Sequence, residues 1–332
     1  MLGGFLSLLS AVTFAYANAS VRRGVLSGTV LQAVGISLPI ALPIFVLAML
    51  PTGGFAALVA FDARSWVLLV IAGVIHFAGG RYCNYRATKA IGANLVAPVQ
   101  QYSLIITLAL AVLWLHEPLT LLRLIGIVLV VAGPALTLRP QRKRSERPAV
   151  IPRETTFTPD YAEGYLYALL SAVAFGLSPI LIGMAFERKG IGVGVAGGFV
   201  SYLAGTATIA VTLLLPGRWT EFRAMDRVSA RWFVLSGILV ALSQMTRYMA
   251  LAVAPVSVVT PIQRLSLIFR IYFGWIINPK HEVFGGRIVA GTLLSLAGAV
   301  ALSVSVDDVQ HLLTLPDALG WLLHWRWPSG PA

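Results

Sequence analysis

Charge is what this sequence has least of. Asp, Glu, Lys and Arg supply 11% of its 332 residues, where a soluble domain carries roughly a quarter, so water is not its main solvent. Cysteine is nearly absent as well. Cys83 stands alone, which excludes an intramolecular disulfide, and one thiol with five scattered histidines offers no metal-ligand spacing. No metal or other cofactor is expected. The P-loop pattern G-x-x-x-x-G-K-[ST] is missing, which argues against ATP-driven work by this chain alone. Other apparent motifs fail on context. Residues 192–197 fit G-x-G-x-x-G, but no strand precedes them and they open an apolar helix, where small residues serve helix packing. His116-Glu117 and His281-Glu282 lack the second histidine of a zinc-peptidase H-E-x-x-H. Asn18-Ala19-Ser20 fits a glycosylation sequon yet lies inside an apolar run.

Apolar residues dominate, at 58% of the chain with a mean hydropathy of +0.82. Runs of about 20 such residues, the length that spans a hydrocarbon core, recur throughout. Read against breakers and charges, they predict helices over residues 2–21, 29–50, 66–89, 93–115 and 120–138, then 164–186, 192–215, 232–252, 256–277 and 288–306. The expected fold class is an all-α integral membrane protein with ten transmembrane helices. The first segment has no basic n-region and the length of a full span, so it reads as a retained helix and not as a cleaved signal. Between the two sets of five, residues 139–161 carry Arg142-Lys143-Arg144 and four prolines. They are too charged for lipid and too Pro-rich for a helix, and read as a basic polar linker. In the tail, residues 307–332, the stretch 311–327 has three tryptophans, is too short to cross, and suits an interfacial helix.

The two sets resemble one another. LSAVTF at residues 9–14 matches LSAVAF at 170–175, and VAPVQQYSLI at 96–105 matches VTPIQRLSLI at 259–268. His116-Glu117 with Gly126 and Gly133 likewise matches His281-Glu282 with Gly291 and Gly298, at identical spacing from glutamate to glycines. Residues 1–138 and 162–306 are therefore expected to be repeats. Five helices is an odd number, so the second repeat enters the membrane in the opposite sense. Inverted repeats of this kind generate two pseudo-equivalent gates around a site near the midplane.

Each half thus has a small-residue helix, then a short turn (Ile91-Gly92-Ala93 in the first), a polar proline-containing helix ending in Glu117, and a Gly-rich closing helix. This pattern, present twice over residues 2–306, resembles the EamA family of the drug/metabolite transporter superfamily. The resemblance implies ten helices and a central cavity lined by the first, third, fourth, sixth, eighth and ninth. It also implies transport without enzymatic activity, both termini in the cytoplasm, and a place in the bacterial inner membrane. The chain departs from the family in the number of arginines its helices carry.

Net charge is +12, which in a soluble protein would point to nucleic acid. Here membrane geometry partitions the excess, and no nucleic-acid partner is expected. Fifteen lysines and arginines fall in loops after odd-numbered helices, among them Arg22, Arg23, Lys89, Arg218 and Lys280. Five lie on the opposite face: Arg64, Arg123, Arg188, Lys189 and Arg326. By the positive-inside rule the linker is cytoplasmic and both termini are outside, the reverse of what the family resemblance implies.

The other five basic residues, Arg81, Arg86, Arg247, Arg264 and Arg270, lie inside predicted spans. Each costs roughly 2.5–3.5 kcal/mol at a helix centre on insertion scales, so each must face water or a partner. A carboxylate would be the usual partner, yet all 13 acidic residues, Glu117 and Glu282 among them, fall in loops or at helix ends. Guanidiniums without intramembrane acids point to a hydrated basic cavity whose counter-ion arrives as the substrate, and their bidentate donors fit phosphate or carboxylate.

Spacing gives these side chains shared surfaces. Arg81, Tyr85 and Lys89 lie on one face of the third helix, and Gln244, Arg247 and Tyr248 on one face of the eighth. In the fourth, Gln100, Ser103 and Thr107 form a polar stripe that the repeat maps onto Gln263, Ser266 and Arg270 in the ninth, beside Arg264. Pro98 and Pro261 each remove a helical hydrogen bond at matching positions, where a gate would bend. Plainer readings stand beside these. Arg86 and Lys89 could snorkel to the interface, the other arginines could bond backbone carbonyls, and Tyr85 and Tyr248 could be core aromatics. His76 reads as a packed side chain, and Glu117 and Glu282 as braces of helix ends or as proton sites.

The expected function is secondary transport of a small anionic or zwitterionic metabolite by alternating access, with that solute and the lipid bilayer as partners. Translocation of a phosphate-bearing lipid is the alternative. An intramembrane lipid-modifying enzyme comes last, because no carboxylate or convincing histidine is placed for acid–base work. The charge count makes a prediction about orientation. A reporter active only outside the cytoplasm, fused to either terminus, is expected to be active, and activity confined to a cytoplasmic reporter would reverse the assignment.

Overall fold

The computed structural model describes residues 2–115, 119–138, 158–186, 190–253, 262–303 and 326–327. Glu117, Pro261, residues 139–157 of the linker and residues 307–325 and 328–332 of the tail lie outside these. Helices follow the apolar runs, and their interruptions follow proline and glycine. Helix α1 (Leu2–Gly24) is continuous. The second expected helix divides at residues 38–40 into α2 (Val30–Ser37) and α3 (Ala41–Thr52), where Pro39 and Pro43 bring no amide donor. Thr29 and Gln32 fix the start of α2 reciprocally: Thr29 Oγ1 accepts from the Gln32 amide at 3.3 Å and Gln32 Oε1 from the Thr29 amide at 2.8 Å.

Gly53, at φ +70°, ends α3 and leads into the short α4 (Gly54–Val59). Helix α5 (Ala63–Gly73), capped by Asp62, passes through a π-helical turn, Val74–Gly80, into α6 (Arg81–Ile91). The expected fourth helix is two pieces, α7 (Ala93–Val99) and α8 (Tyr102–Leu115), broken at Gln100 and Gln101 just after Pro98. Helix α9 (Leu121–Leu138) follows. Beyond the linker come α10 (Tyr161–Ala185), capped by Asp160, α11 (Ile191–Leu213), the short α12 (Arg218–Arg223), α13 (Arg227–Val253), α14 (Ser266–Ile277) and α15 (Gly286–Ser303). The interfacial helix expected through Trp327 is corrected at its end. Arg326–Trp327 is extended there, because it pairs antiparallel with Leu119–Thr120 in a two-residue ladder.

Six stretches are long and apolar enough to cross a membrane: Gly3–Gly24, Val30–Thr52, Ala63–Ile91, Tyr161–Ala185, Ile191–Leu213 and Arg227–Ala250. Outward-facing Leu47, Leu50, Val67, Val128, Val211, Trp275 and Ile276 are exposed, an apolar girdle that water would penalise and lipid does not. Among the described residues this integral membrane protein has only helices as regular structure apart from that short ladder.

Two helix pairs show how the bundle is held. Helices α1 and α13 run antiparallel, and Ser229, Ser236 and Ser243, spaced by seven, donate to the carbonyls of Gly24, Ala17 and Ser10 at 3.0, 2.9 and 2.9 Å. A seven-residue period keeps one seam facing its partner over two turns at a time, and interhelical hydroxyl bonds of this kind stabilise a membrane bundle by about 0.6 kcal/mol each. Helices α9 and α15 meet through glycine. A Cβ at Gly298 would stand 2.7 Å from both the Gly126 carbonyl oxygen and the Val130 amide, and one at Gly133 would collide with Ser295 Oγ. Helix α10 packs on α6, α5 and α8, helix α14 on α1, and α11 on α3, α4 and α5. Gly298→Ala is expected to lower stability by about 1–3 kcal/mol through overpacking, seen as a lower melting temperature in detergent. Gly183→Ala, with nothing within 4 Å of its Cβ, serves as the unchanged control, and equal melting temperatures would contradict the glycine seam.

Candidate functional site

The π turn before α6 carries His76 and Phe77 into the bundle and delivers Arg81 directly after them. Insertions of this type re-aim side chains and recur at functional sites. Arg81 is 4% exposed. Its Nη2 donates to the Tyr202 hydroxyl at 2.7 Å, and its guanidinium lies 5.1 Å from the ring centres of both Phe77 and Tyr202. These rings stack on each other at 3.9 Å. Among the described residues, buried Arg81 Nη1 has no partner. His76 is packed on Phe77 and Phe175, and its Nδ1 shares a 2.7 Å hydrogen bond with Ser178.

The break between α7 and α8 exposes Gln100 to a second arginine. Arg270, on α14, donates from Nη1 to Gln100 Oε1 at 2.7 Å. Gln100 Nε2 in turn donates to Asn84 at 2.6 Å, Asn84 Nδ2 to Asn18 at 3.3 Å, and Asn18 Nδ2 to the Phe14 carbonyl at 2.7 Å. One polar chain thus crosses from α14 through the break to α6 and α1. Arg270 also lies 4.9 Å over the Phe14 ring, and its Nε has no partner among the described residues.

Tyr85 on α6 and Gln244 and Tyr248 on α13 are buried, whereas Arg247, Gln263 and Arg264 are partly accessible. Among the described residues, Arg264 Nε and Gln263 Nε2 have no hydrogen-bond partner. Arg81 and Arg247 both act electrostatically on His76, and Arg247 and Arg270 both act on Arg264. Tyr202 couples to Arg81 and Tyr85, and Tyr248 to Arg247 and Tyr202. Arg81, Arg247, Arg264, Arg270, Tyr85 and Tyr248 are therefore linked, neighbour by neighbour, through His76 and Tyr202. Glu117 and Pro261 lie outside the described residues. Pro98 stands in the last turn of α7, two residues before the break.

The acid-free interior expected from sequence needs correction. Glu282 does stand in the loop between α14 and α15, but that loop folds inward and leaves it 1% exposed. Its two oxygens accept from the Ala93 and Asn94 amides at 2.7 and 3.1 Å, the first free donors of α7. Gly92, at φ +83°, makes that approach possible: a Cβ there would press on the Glu282 carboxylate. Arg22, counted from sequence among loop residues, is fully buried beside it at 3.7 Å. It donates to the carbonyls of His281, Thr88 and Lys89 at 2.6 to 3.1 Å, tying the ends of α1 and α6 to the α14–α15 loop. Burial raises the Glu282 carboxyl against the opposing pull of Arg22 and the two amides. Burial, with Arg23, Arg22 and Lys280 nearby, lowers the His281 imidazole.

Nor do Arg86 and Lys89 simply snorkel. Arg86 forms an ion pair with Glu163 and stands over the Tyr167 ring, and Lys89 donates to the Gly28 carbonyl at 3.1 Å. They line a cleft of about 420 Å³ with Tyr82, Glu163, Arg218 and Glu221. The cleft opens at the same end as the Arg22–Glu282 pair. Sequence reasoning passed over Tyr202, Asn84 and Asn18. Asn18 was visible as a lone amide in an apolar run, a costly placement that signals a partner.

Residues 1–139 match the EamA-like transporter family. No curated protein matches the chain. Among solved structures 23 chains match, and one crystal structure superposes with a TM-score of 0.58 at 19% identity, over 90% of this chain and 94% of that one. Likeness at that identity shows the shared fold.

Removing one member of a buried ion pair leaves the other uncompensated, at a cost of about 3–5 kcal/mol. Arg22→Met is expected to lose that much stability, and adding Glu282→Gln to regain part of it. Unfolding of the single and double variants in detergent checks this, and strictly additive losses would show that the two side chains do not act as a unit.

Proposed function

Because residues 1–139 match the EamA-like transporter family, we propose that the chain is a secondary transporter that moves a small anionic or zwitterionic metabolite by alternating access. The observation that carries this reading is the cluster of Arg81, Arg247, Arg264 and Arg270. It holds unspent guanidinium donors and, among the described residues, no carboxylate of its own. Such a cluster is costly in a membrane protein unless a ligand or water answers it. Tyr85, Gln100, Gln244, Tyr248 and Gln263 complete the proposed substrate site.

The proposed architecture is ten helices in two inverted repeats, residues 1–138 and 162–306. Residues 80–105 align without a gap on 243–268, with Tyr85 and Tyr248, Pro98 and Pro261, Gln100 and Gln263, and Ser103 and Ser266 in the same register. Packing has the corresponding symmetry. Helix α1 lies on α13 as α10 lies on α6, and α1 on α14 as α10 on α8. At the α9–α15 seam Gly126 meets Gly298 while Gly133 meets Gly291, the reciprocal contact that a two-fold axis requires. In this reading the Arg22–Glu282 pair closes one of two ends, and the break at Gln100 lets α7 move against α8. The proposed setting is a bacterial inner membrane.

In proteoliposomes, Arg247→Ala and Arg264→Ala are each expected to lower uptake of labelled organic anions about ten-fold or more, the equivalent of one charge-assisted hydrogen bond. Flux is expected to be insensitive to an imposed proton gradient, since the cluster has no carboxylate to carry a proton. Wild-type rates in both variants would contradict the proposal.

A further inference from the structure

The transport reading leaves open which charge the solute carries, and the cluster's own charge inventory narrows it. Arginine stays protonated at any physiological pH, so Arg81, Arg247, Arg264 and Arg270 bring four positive charges to one region. What answers them from the protein is neutral: the Tyr202 hydroxyl, the Gln100 carbonyl, and the faces of Phe77, Tyr202 and Phe14. Among the described residues one carboxylate, Glu282, comes within electrostatic reach of Arg270. Its oxygens are already committed to the Ala93 and Asn94 amides and it pairs with Arg22.

The unspent donors have a pattern. Arg81 Nη1 projects from α6 in the first half, and Arg81 is 4% exposed. Gln263 Nε2, Arg264 Nε and Arg270 Nε belong to the second half, and Arg270 is 3% exposed. One arginine of each group is held in place. Arg81 lies beside the stacked pair of Phe77 and Tyr202 and is tied to the Tyr202 hydroxyl, and Arg270 is fixed by the chain through Gln100, Asn84 and Asn18. Fixed donors lose little freedom on binding, which favours a ligand that matches both groups at once.

Resting on the transport reading, we infer that the substrate is an organic dianion, a phosphate monoester or a dicarboxylate, engaged from the two halves of the chain together. A zwitterion would bring an ammonium among four guanidiniums with no described carboxylate to receive it. A monoanion would satisfy one donor group and leave the other buried and unpaired, which costs more than a missing contact on a wet surface. The aromatic side chains around Arg81 suit a small organic body between the charged ends.

The test compares five probes with the full chain in liposomes: glycerol 3-phosphate and succinate as soluble dianions, a fluorescent phosphatidate carrying the same phosphate on a lipid, acetate as monoanion and alanine as zwitterion. The dianions are expected to move at least about ten-fold faster than acetate and alanine, one charge-assisted hydrogen bond's worth of selectivity. Glycerol 3-phosphate flux is expected to fall as pH drops through about 6, where a phosphate monoester takes up its second proton. Transfer of phosphatidate alone would keep the dianion and assign it to a lipid. Arg81→Gln and Arg270→Gln are each expected to abolish the preference, while Arg218→Gln, at an exposed arginine outside the cluster, retains it. Acetate or alanine carried as fast as the dianions overturns this inference and leaves transport standing. Absence of both flux and thermal stabilisation with all five probes, in protein that unfolds cooperatively, overturns both readings.

Discussion

A guanidinium does not shed its charge, and a bundle that keeps several of them between lipid-facing helices must answer that charge locally. Much of the interior follows from this constraint. The stacked pair of Phe77 and Tyr202 offers Arg81 two aromatic faces and a hydroxyl. The relay from Arg270 to Asn18 runs across three helices and the α7–α8 break to deliver one carbonyl oxygen. Interruptions of the helices serve the same end. The π turn at Val74–Gly80 brings the aromatic clamp beside Arg81, and the break after Pro98 frees Gln100 to face Arg270. None of these devices carries a negative charge.

The contrast with Arg22 is instructive. Arg22 is as deeply buried, yet it has a carboxylate at 3.7 Å and four hydrogen bonds to carbonyl oxygens. That is a structural arginine, satisfied by the protein itself, and it braces the end of the bundle where α1, α6, α7 and the α14–α15 loop meet. The same fold therefore holds two kinds of buried guanidinium, and the difference between them is what singles out the central cluster. Around both, serine hydroxyls on α13 and glycines on α9 and α15 bring helices close enough to hold polar side chains in fixed places.

Much of this was legible in the sequence. Period and length of apolar runs pointed to the helices, and the glycines singled out by their matching spacing lie on α9 and α15, which pack glycine on glycine. The arginines stood out because charge in an apolar run is expensive. What the sequence did not reveal has physical causes too. Whether Glu282 faces water depends on a loop folding back onto the start of α7, a tertiary choice with no local signature beyond Gly92. Tyr202 lies in an apolar helix where tyrosine is unremarkable until Arg81 reaches it across 121 positions of sequence. Arg22 follows its span as a snorkelling residue would, and its burial is decided by three carbonyl-bearing neighbours far along the chain. The splitting of α2 from α3, by contrast, was written in Pro39 and Pro43.

The central claim is that the unpartnered guanidiniums form an anion site. The most direct measurement is the anomalous scattering of selenate, a small dianion with a heavy centre, in crystals of the full chain. The account predicts a peak within hydrogen-bonding distance of Arg81 or of Arg264 and Arg270. A peak confined to the cleft beside Arg86, Lys89 and Arg218, or no peak at saturating selenate, would contradict it.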